Sequence, residues 1–200
     1  MLGYEYTRTV GDFAHEKGLL LHLDGARIFN ASVALNIPPA RLAKPADSVT
    51  FCLSKGLCAP VGSVICGSKN FITRARRIRK QLGGGMRQAG VLAAAGIVAL
   101  EQMTDRLIED HDNAKRLAEG LSQIPELRLS LGMPQTNMVF IDLVENVKSN
   151  AADIAEKLRH ENIKVGVVSL RSFRLVTHYW IRKSDVERTV RAFSKVFYIS

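Results

Sequence analysis

Acidic residues are missing altogether between Ser48 and Leu100, and cysteine, tryptophan and long apolar runs are scarce along the whole 200-residue sequence. Each scarcity excludes something. No apolar stretch approaches the roughly 18 residues that a membrane-crossing helix needs, and Met1 to Val10 carries no signal-peptide core, so membrane-spanning and secretory readings fall away. The three cysteines, Cys52, Cys58 and Cys66, are an odd number at spacings that suit no zinc site. They read as reduced thiols of an intracellular, cytoplasmic protein. The acid-free segment holds eight cations: Lys55, Lys69, Arg74, Arg76, Arg77, Arg79, Lys80 and Arg87. Outside it, twenty basic residues face nineteen acidic ones, so the net charge of +9 belongs almost wholly to this one segment. A local excess of that kind points to a small anionic ligand more than to a nucleic-acid surface, which would call for interleaved aromatics or a recognisable motif. Neither nucleic acid nor membrane is expected as a partner.

What is present is a globular composition, 46% hydrophobic and 24% charged, without internal repeats or low-complexity tracts. Helical spacing over Tyr6–Lys17 stops at Gly18, and Leu19–Leu23 reads as a strand ending at Asp24-Gly25. A short helical stretch, Ala26–Leu35, is closed by Pro38-Pro39. Ser48–Leu53 and Gly62–Cys66 read as apolar strands around an uncharged loop that contains only Lys55. A basic helix over Phe71–Leu82 is halted by Gly83-Gly84-Gly85, and one long Ala-rich helix is predicted from about Met86 to His111. Beyond it come the helix Asp112–Gln123, the strands Leu127–Leu131 and Thr136–Leu143, the helix Ala151–Asn162, and the strands Ile163–Val168 and Phe173–Thr177. A last helix opens on the Ser184-x-x-Glu187 capping-box pattern. Residues 1–110 therefore read as part of a parallel α/β sheet domain, and 111–200 as a small α+β domain.

Lys55 has no partner of opposite charge nearby in sequence. In a turn between two apolar strands, a lysine that loses its proton can condense with a carbonyl, although an exposed turn lysine would carry the same residues. Asp24 alone is equally consistent with a turn or helix cap. The combination is more telling. If the strands before Asp24 and Lys55 are parallel neighbours, their carboxyl ends share one rim, where Asp24, Arg27 and Lys55 converge. Pyridoxal phosphate requires such a set: a lysine for its aldehyde, a carboxylate for its pyridine nitrogen, and cations for its phosphate and for a substrate carboxylate.

Four stretches make the pattern specific. His22-Leu23-Asp24-Gly25-Ala26-Arg27-Ile28-Phe29-Asn30-Ala31, Ser54-Lys55-Gly56-Leu57-Cys58-Ala59-Pro60-Val61-Gly62-Ser63, Arg79-Lys80-Gln81-Leu82-Gly83-Gly84-Gly85-Met86-Arg87-Gln88 and Arg174-Leu175-Val176-Thr177-His178 follow in order. Together they resemble the threonine aldolase family, grouped with the aromatic amino acid β-eliminating lyases. The resemblance implies the aspartate-aminotransferase-like fold, fold type I, with pyridoxal 5′-phosphate as cofactor. It implies Lys55 as the Schiff-base lysine, Asp24 as partner of the pyridinium, and Arg27 with Arg174 as the clamp on the substrate carboxylate. Lys80 and Arg87 match positions near the cofactor phosphate, reached across a subunit interface in such enzymes. Arg74, Arg76, Arg77 and Arg79 read as a solvated helix face, His22 as an orienting strand residue, and His178 as a packing or backbone-bonded histidine.

The implied activity is cleavage of threonine and allo-threonine to glycine and acetaldehyde, in a homodimer or homotetramer. The sequence begins where a family member would be nearly half complete, without the phosphate-cupping Gly-Thr loop or the histidine that stacks on the pyridine ring. The large domain is therefore expected to be truncated, and the alternative function is that of a non-catalytic subunit partner of a complete enzyme.

Overall fold

A computed structural model describes residues 1–198, which divide into two compact units, Met1–Leu107 and the chain from Ile108 onward. In the first unit, helix α1 (Tyr4–Glu16) stops where Gly18 turns left-handed at φ +68°, freeing the chain to enter strand β1 (His22–Asp24). Only these three residues pair, His22 to Asp24 against Ser48 to Thr50 of strand β2 (Ser48–Cys52). The strand is shorter than the apolar run from Leu19 suggests. Helix α2 (Ile28–Leu35) ends on Asn36 in the left-handed region. The two prolines that follow do more than break it. Pro39 occupies the first turn of helix α3 (Pro39–Ala43), where a missing N–H costs nothing.

Strands β1 and β2 are parallel, as the rim argument requires, but strand β3 (Ser63–Gly67) returns antiparallel to β2. The parallel reading of this sheet therefore holds for β1 and β2 but not for β3. The ten-residue connection between β2 and β3 is too short for a crossover helix, and only an antiparallel hairpin can use it. Helix α4 (Lys69–Gln81) follows β3 at once, capped by the Ser68 hydroxyl, which accepts the Phe71 N–H at 3.3 Å.

The long helix predicted over Met86–His111 is two helices, α5 (Gly90–Gln102) and α6 (Leu107–Leu121). Between them stand Thr104 and Asp105, residue types that favour helix starts over helix interiors, and the Leu107 N–H bonds to the Thr104 carbonyl. The small core of this unit consists of Leu57, Ala59, Ala99 and Leu107, with Phe29, Val33, Leu53 and Met103 packed on it.

The second unit is an antiparallel sheet of order β4-β5-β7-β6: β4 (Leu127–Leu129), β5 (Met138–Leu143), β6 (Gly166–Val167) and β7 (Ser172–Val176). Alternate residues of β5 and β7, including Val139, Ile141, Phe173 and Leu175, face a continuous core. The helices α6, α7 (Ala151–His160) and α8 (Lys183–Tyr198) supply the rest of it. The capping-box expectation at Ser184 shifts: the Arg182 N–H bonds to the Asp185 carboxylate, so α8 starts earlier and Asp185, not Glu187, reaches back. A full capping box does occur at α7, between Asn150 and Asp153. Among the described residues no helix is long and apolar enough to cross a membrane, and no group of His, Cys, Asp or Glu could hold a metal ion.

Candidate active site

Asp24 is the last residue of β1 and stands opposite Thr50 on β2. One of its carboxylate oxygens accepts the Ala26 N–H at 3.1 Å, a local turn that fixes the carboxylate at the strand end. The same turn is fastened to β2 twice, by Gly25 N–H to the Thr50 carbonyl at 2.8 Å and by Cys52 N–H to the Ala26 carbonyl at 3.3 Å. Two residues before Asp24, the His22 imidazole lies between the Ser48 hydroxyl at 2.8 Å and the Thr50 hydroxyl at 2.7 Å. Both hydroxyls belong to β2, so His22 is a cross-strand tie that holds β1 in register, consistent with an orienting role.

Lys55 follows β2 by three residues, and its loop is closed on itself. Leu53 N–H bonds to the Gly62 carbonyl, Ala59 N–H to the Leu53 carbonyl, and Cys58 N–H to the Lys55 carbonyl, each at 3.0 Å. Leu57 and Ala59 sink into the core below while Lys55 stays exposed. Gly56 is the reason the loop can lie so low, since a Cβ there would sit 2.9 Å from Leu107 Cδ2 and 3.1 Å from Asn30 Oδ1. The lysine is thus held by its backbone with a free amine.

Arg27, directly after the Asp24 turn, is the residue before α2 and is half-buried. Asp24, Arg27 and Lys55 therefore share the carboxyl ends of two hydrogen-bonded parallel strands. Lys80 lies in the last turn of α4 and Arg87 in the segment leading to α5; both are exposed. None of the eight cations of the acid-free segment forms an ion pair among the described residues. Arg174 belongs to the second unit. It stands on β7 between Phe140 and Gly166, exposed, while Phe173 and Leu175 on either side are buried. It borders a cavity of about 310 Å³ together with Lys164, Thr177 and His178.

The end of β7 is fixed by groups that the sequence reading passed over. Buried Thr177 donates its hydroxyl to the Asp110 carbonyl at 2.6 Å, and buried Asn137 donates its amide to the Thr177 carbonyl at 2.8 Å. His178 Nδ1 accepts the Trp180 N–H at 3.3 Å, so this histidine is backbone-bonded. Arg171 donates to the carbonyls of Leu143, Val144 and Val147 and is a structural clasp rather than a ligand residue. Polar residues such as Asn137 and Thr177 at the ends of apolar runs are the available sign of that network.

The residue types that pyridoxal 5′-phosphate would call on are present as an exposed amine at Lys55, a turn-anchored carboxylate at Asp24 whose second oxygen has no partner among the described residues, and cations without an ion pair at Lys80 and Arg87. The family model described as beta-eliminating lyase matches residues 1–146. Low-specificity L-threonine aldolase 1 of Arabidopsis thaliana is 48% identical over 198 residues, covering 97% of this chain and 54% of that protein. The low specificity L-threonine aldolase of Escherichia coli K12 is 45% identical over 186 residues, covering 93% of this chain and 54% of that protein. The chain thus spans about half the length of these relatives. Among solved structures, a threonine aldolase of Leishmania major superposes with a TM-score of 0.76 at 20% identity, covering 96% of this chain and 56% of that one. At that identity the likeness speaks for the fold, the mixed α/β fold type I.

Proposed function

From the premise that the chain belongs to the beta-eliminating lyase family, we propose that it carries the lysine-bearing part of a pyridoxal-phosphate enzyme that cleaves threonine and allo-threonine to glycine and acetaldehyde. The observation that carries this reading is the rim itself: Lys55, unpaired and exposed, stands at the end of the strand whose neighbour ends in Asp24, with the two strand ends bonded to each other through Cys52 and Ala26. When bound, the cofactor would supply an acceptor for the electron pair left at the substrate Cα as the Cα–Cβ bond breaks.

Lys55 would receive the cofactor aldehyde on its amine. Asp24 would hold a proton on the pyridine nitrogen, a task for the carboxylate oxygen not engaged by Ala26. Lys80 and Arg87 would bind the phosphate. Arg27 and Arg174 would grip the substrate carboxylate, the planar guanidinium being suited to bidentate pairing with two oxygens. Fixing the carboxylate orients the Cα–Cβ bond toward the cofactor face, which is an effect of position alone. The β-hydroxyl proton leaves to a base as acetaldehyde departs, and Cα gains a proton to give glycine. In the complete enzyme the site is expected at a subunit interface of a homodimer or homotetramer, and the three free thiols suit a cytoplasmic setting.

The test is covalent trapping. Treating the chain with pyridoxal 5′-phosphate and borohydride should place the reduced adduct on the Lys55 peptide, as read by mass spectrometry, and L-threonine should release acetaldehyde. Labelling that ignores Lys55, or equal labelling of a Lys55→Ala chain, would overturn the assignment. A second reading, a non-catalytic subunit partner of a complete enzyme, is favoured by the apolar residues that α5 leaves exposed, Val91 at 74% and Ile97 at 55%. It predicts no adduct and stable association with the longer chain.

A further inference from the structure

Three consecutive glycines follow α4, and each answers a different demand. Gly83 adopts φ +82°, a left-handed conformation that ends the helix at little cost only without a side chain. Gly84 approaches backbone: its N–H bonds to the Arg79 carbonyl at 2.8 Å, and a Cβ there would stand 3.2 Å from that oxygen. Gly85 has neither constraint. What a Cβ at Gly85 would meet is the Lys80 side chain, Cδ at 2.4 Å, Nζ at 3.1 Å and Cε at 3.3 Å. The lysine stem lies across the bare face of Gly85, and Gly85 is only half-exposed although it sits in a surface turn.

An exposed lysine ordinarily has a flexible stem and a mobile ammonium. Here the stem lies against Gly85 in the space a side chain would otherwise take, and no carboxylate among the described residues pairs with the ammonium. We infer that Gly85 is a positioning residue for Lys80, seating its ammonium to receive the phosphate of the cofactor, a phosphate monoester. This rests on the assignment of Lys80 to the phosphate made above, and adds what directs that lysine.

The clash at Gly85 is with a flexible surface side chain, so Gly85→Ala should displace Lys80 and leave the fold intact. Two measurements separate the claims. In a chain labelled with [ε-13C]lysine, the Lys80 signal, identified by its loss in Lys80→Arg, should move in Gly85→Ala while the other lysine signals and the melting temperature stay unchanged. A stationary Lys80 signal overturns the inference whether or not cofactor binds.

The second measurement compares the dissociation constants of pyridoxal 5′-phosphate and pyridoxal, which differ only in the phosphate. Lys80→Ala should reduce the preference for the phosphorylated form about tenfold to a hundredfold, the range for a charge-assisted hydrogen bond. Gly85→Ala should reduce it about tenfold with pyridoxal affinity unchanged, and should add nothing in the Lys80→Ala background because both act through one group. A full additional loss in that background overturns the inference. An unchanged preference in Lys80→Ala, or no uptake of cofactor, defeats the phosphate assignment instead, and the ligand part of the inference with it.

Discussion

Gly56 sets the depth of the lysine loop, because Leu107 and Asn30 occupy the space a side chain would need. Gly56→Ala should therefore destabilise the first unit by about 1–3 kcal/mol, the usual cost of forcing a methyl group into filled space. Urea denaturation followed at that unit measures it, and an unchanged midpoint would show that the loop rises freely. At this scale the residues of the candidate site stand out in the sequence. Lys55 was visible as a lone cation between apolar strands, and Asp24 as a carboxylate at a strand end. Gly85 was not, because its role depends on a side chain five residues earlier folding back over it, and no periodicity records that. The burial of Asn137 and Thr177 was equally hidden, since a polar residue at a strand end does not announce where its partner lies.

Elements are tied together by charge as well as by packing. The Asp47 carboxylate, just before β2, receives the His15 ring at 2.9 Å from α1 and the Leu21 N–H at 2.8 Å ahead of β1. The hydrogen bond from His15, then that from Leu21, holds the Asp47 carboxyl below its ordinary 3.8. A group depressed on folding contributes fully above its unfolded value and loses that contribution as the pH falls through the lower folded one. Hydrogen exchange in α1 should accordingly rise as the pH drops below 3.8, once the intrinsic pH dependence of exchange is removed, and Asp47→Asn should abolish that rise. A wild-type chain showing no acid-induced loosening of α1 would count against the tie. The strands on either side were foreseeable from their apolar runs, but the direction of β3 was not inferred. Connection length decides it: ten residues suffice for a hairpin and not for a crossover. The division of α5 from α6 was missed for a related reason, as an apolar period continues past Thr104 and Asp105 even where the backbone does not.

The molecule as a whole is unevenly buried. Among the described residues, the core cluster of the second unit comprises twenty buried apolar residues and that of the first unit four, and the first unit leaves large apolar side chains such as Leu20, ahead of β1, and Val91, on α5, in the open. Hydrophobic burial is the main favourable term in folding, so the two units should differ in autonomy. A fragment comprising residues 108–200 is expected to melt cooperatively by itself, by circular dichroism, whereas residues 1–107 should give a broad, weak transition. A sharp transition in the smaller-cored fragment and none in the other would reverse this view. The hairpin that carries Lys55 has a further consequence, in the order of assembly. Leu53 meets Gly62 across a loop of fewer than ten residues, while Asp24 reaches Thr50 only after twenty-six. Short closures form sooner and at lower entropic cost than long ones. The loop that holds Lys55 therefore closes on a locally folded hairpin before β1 docks, and a chain caught midway through folding would present that loop without the Asp24 strand end beside it.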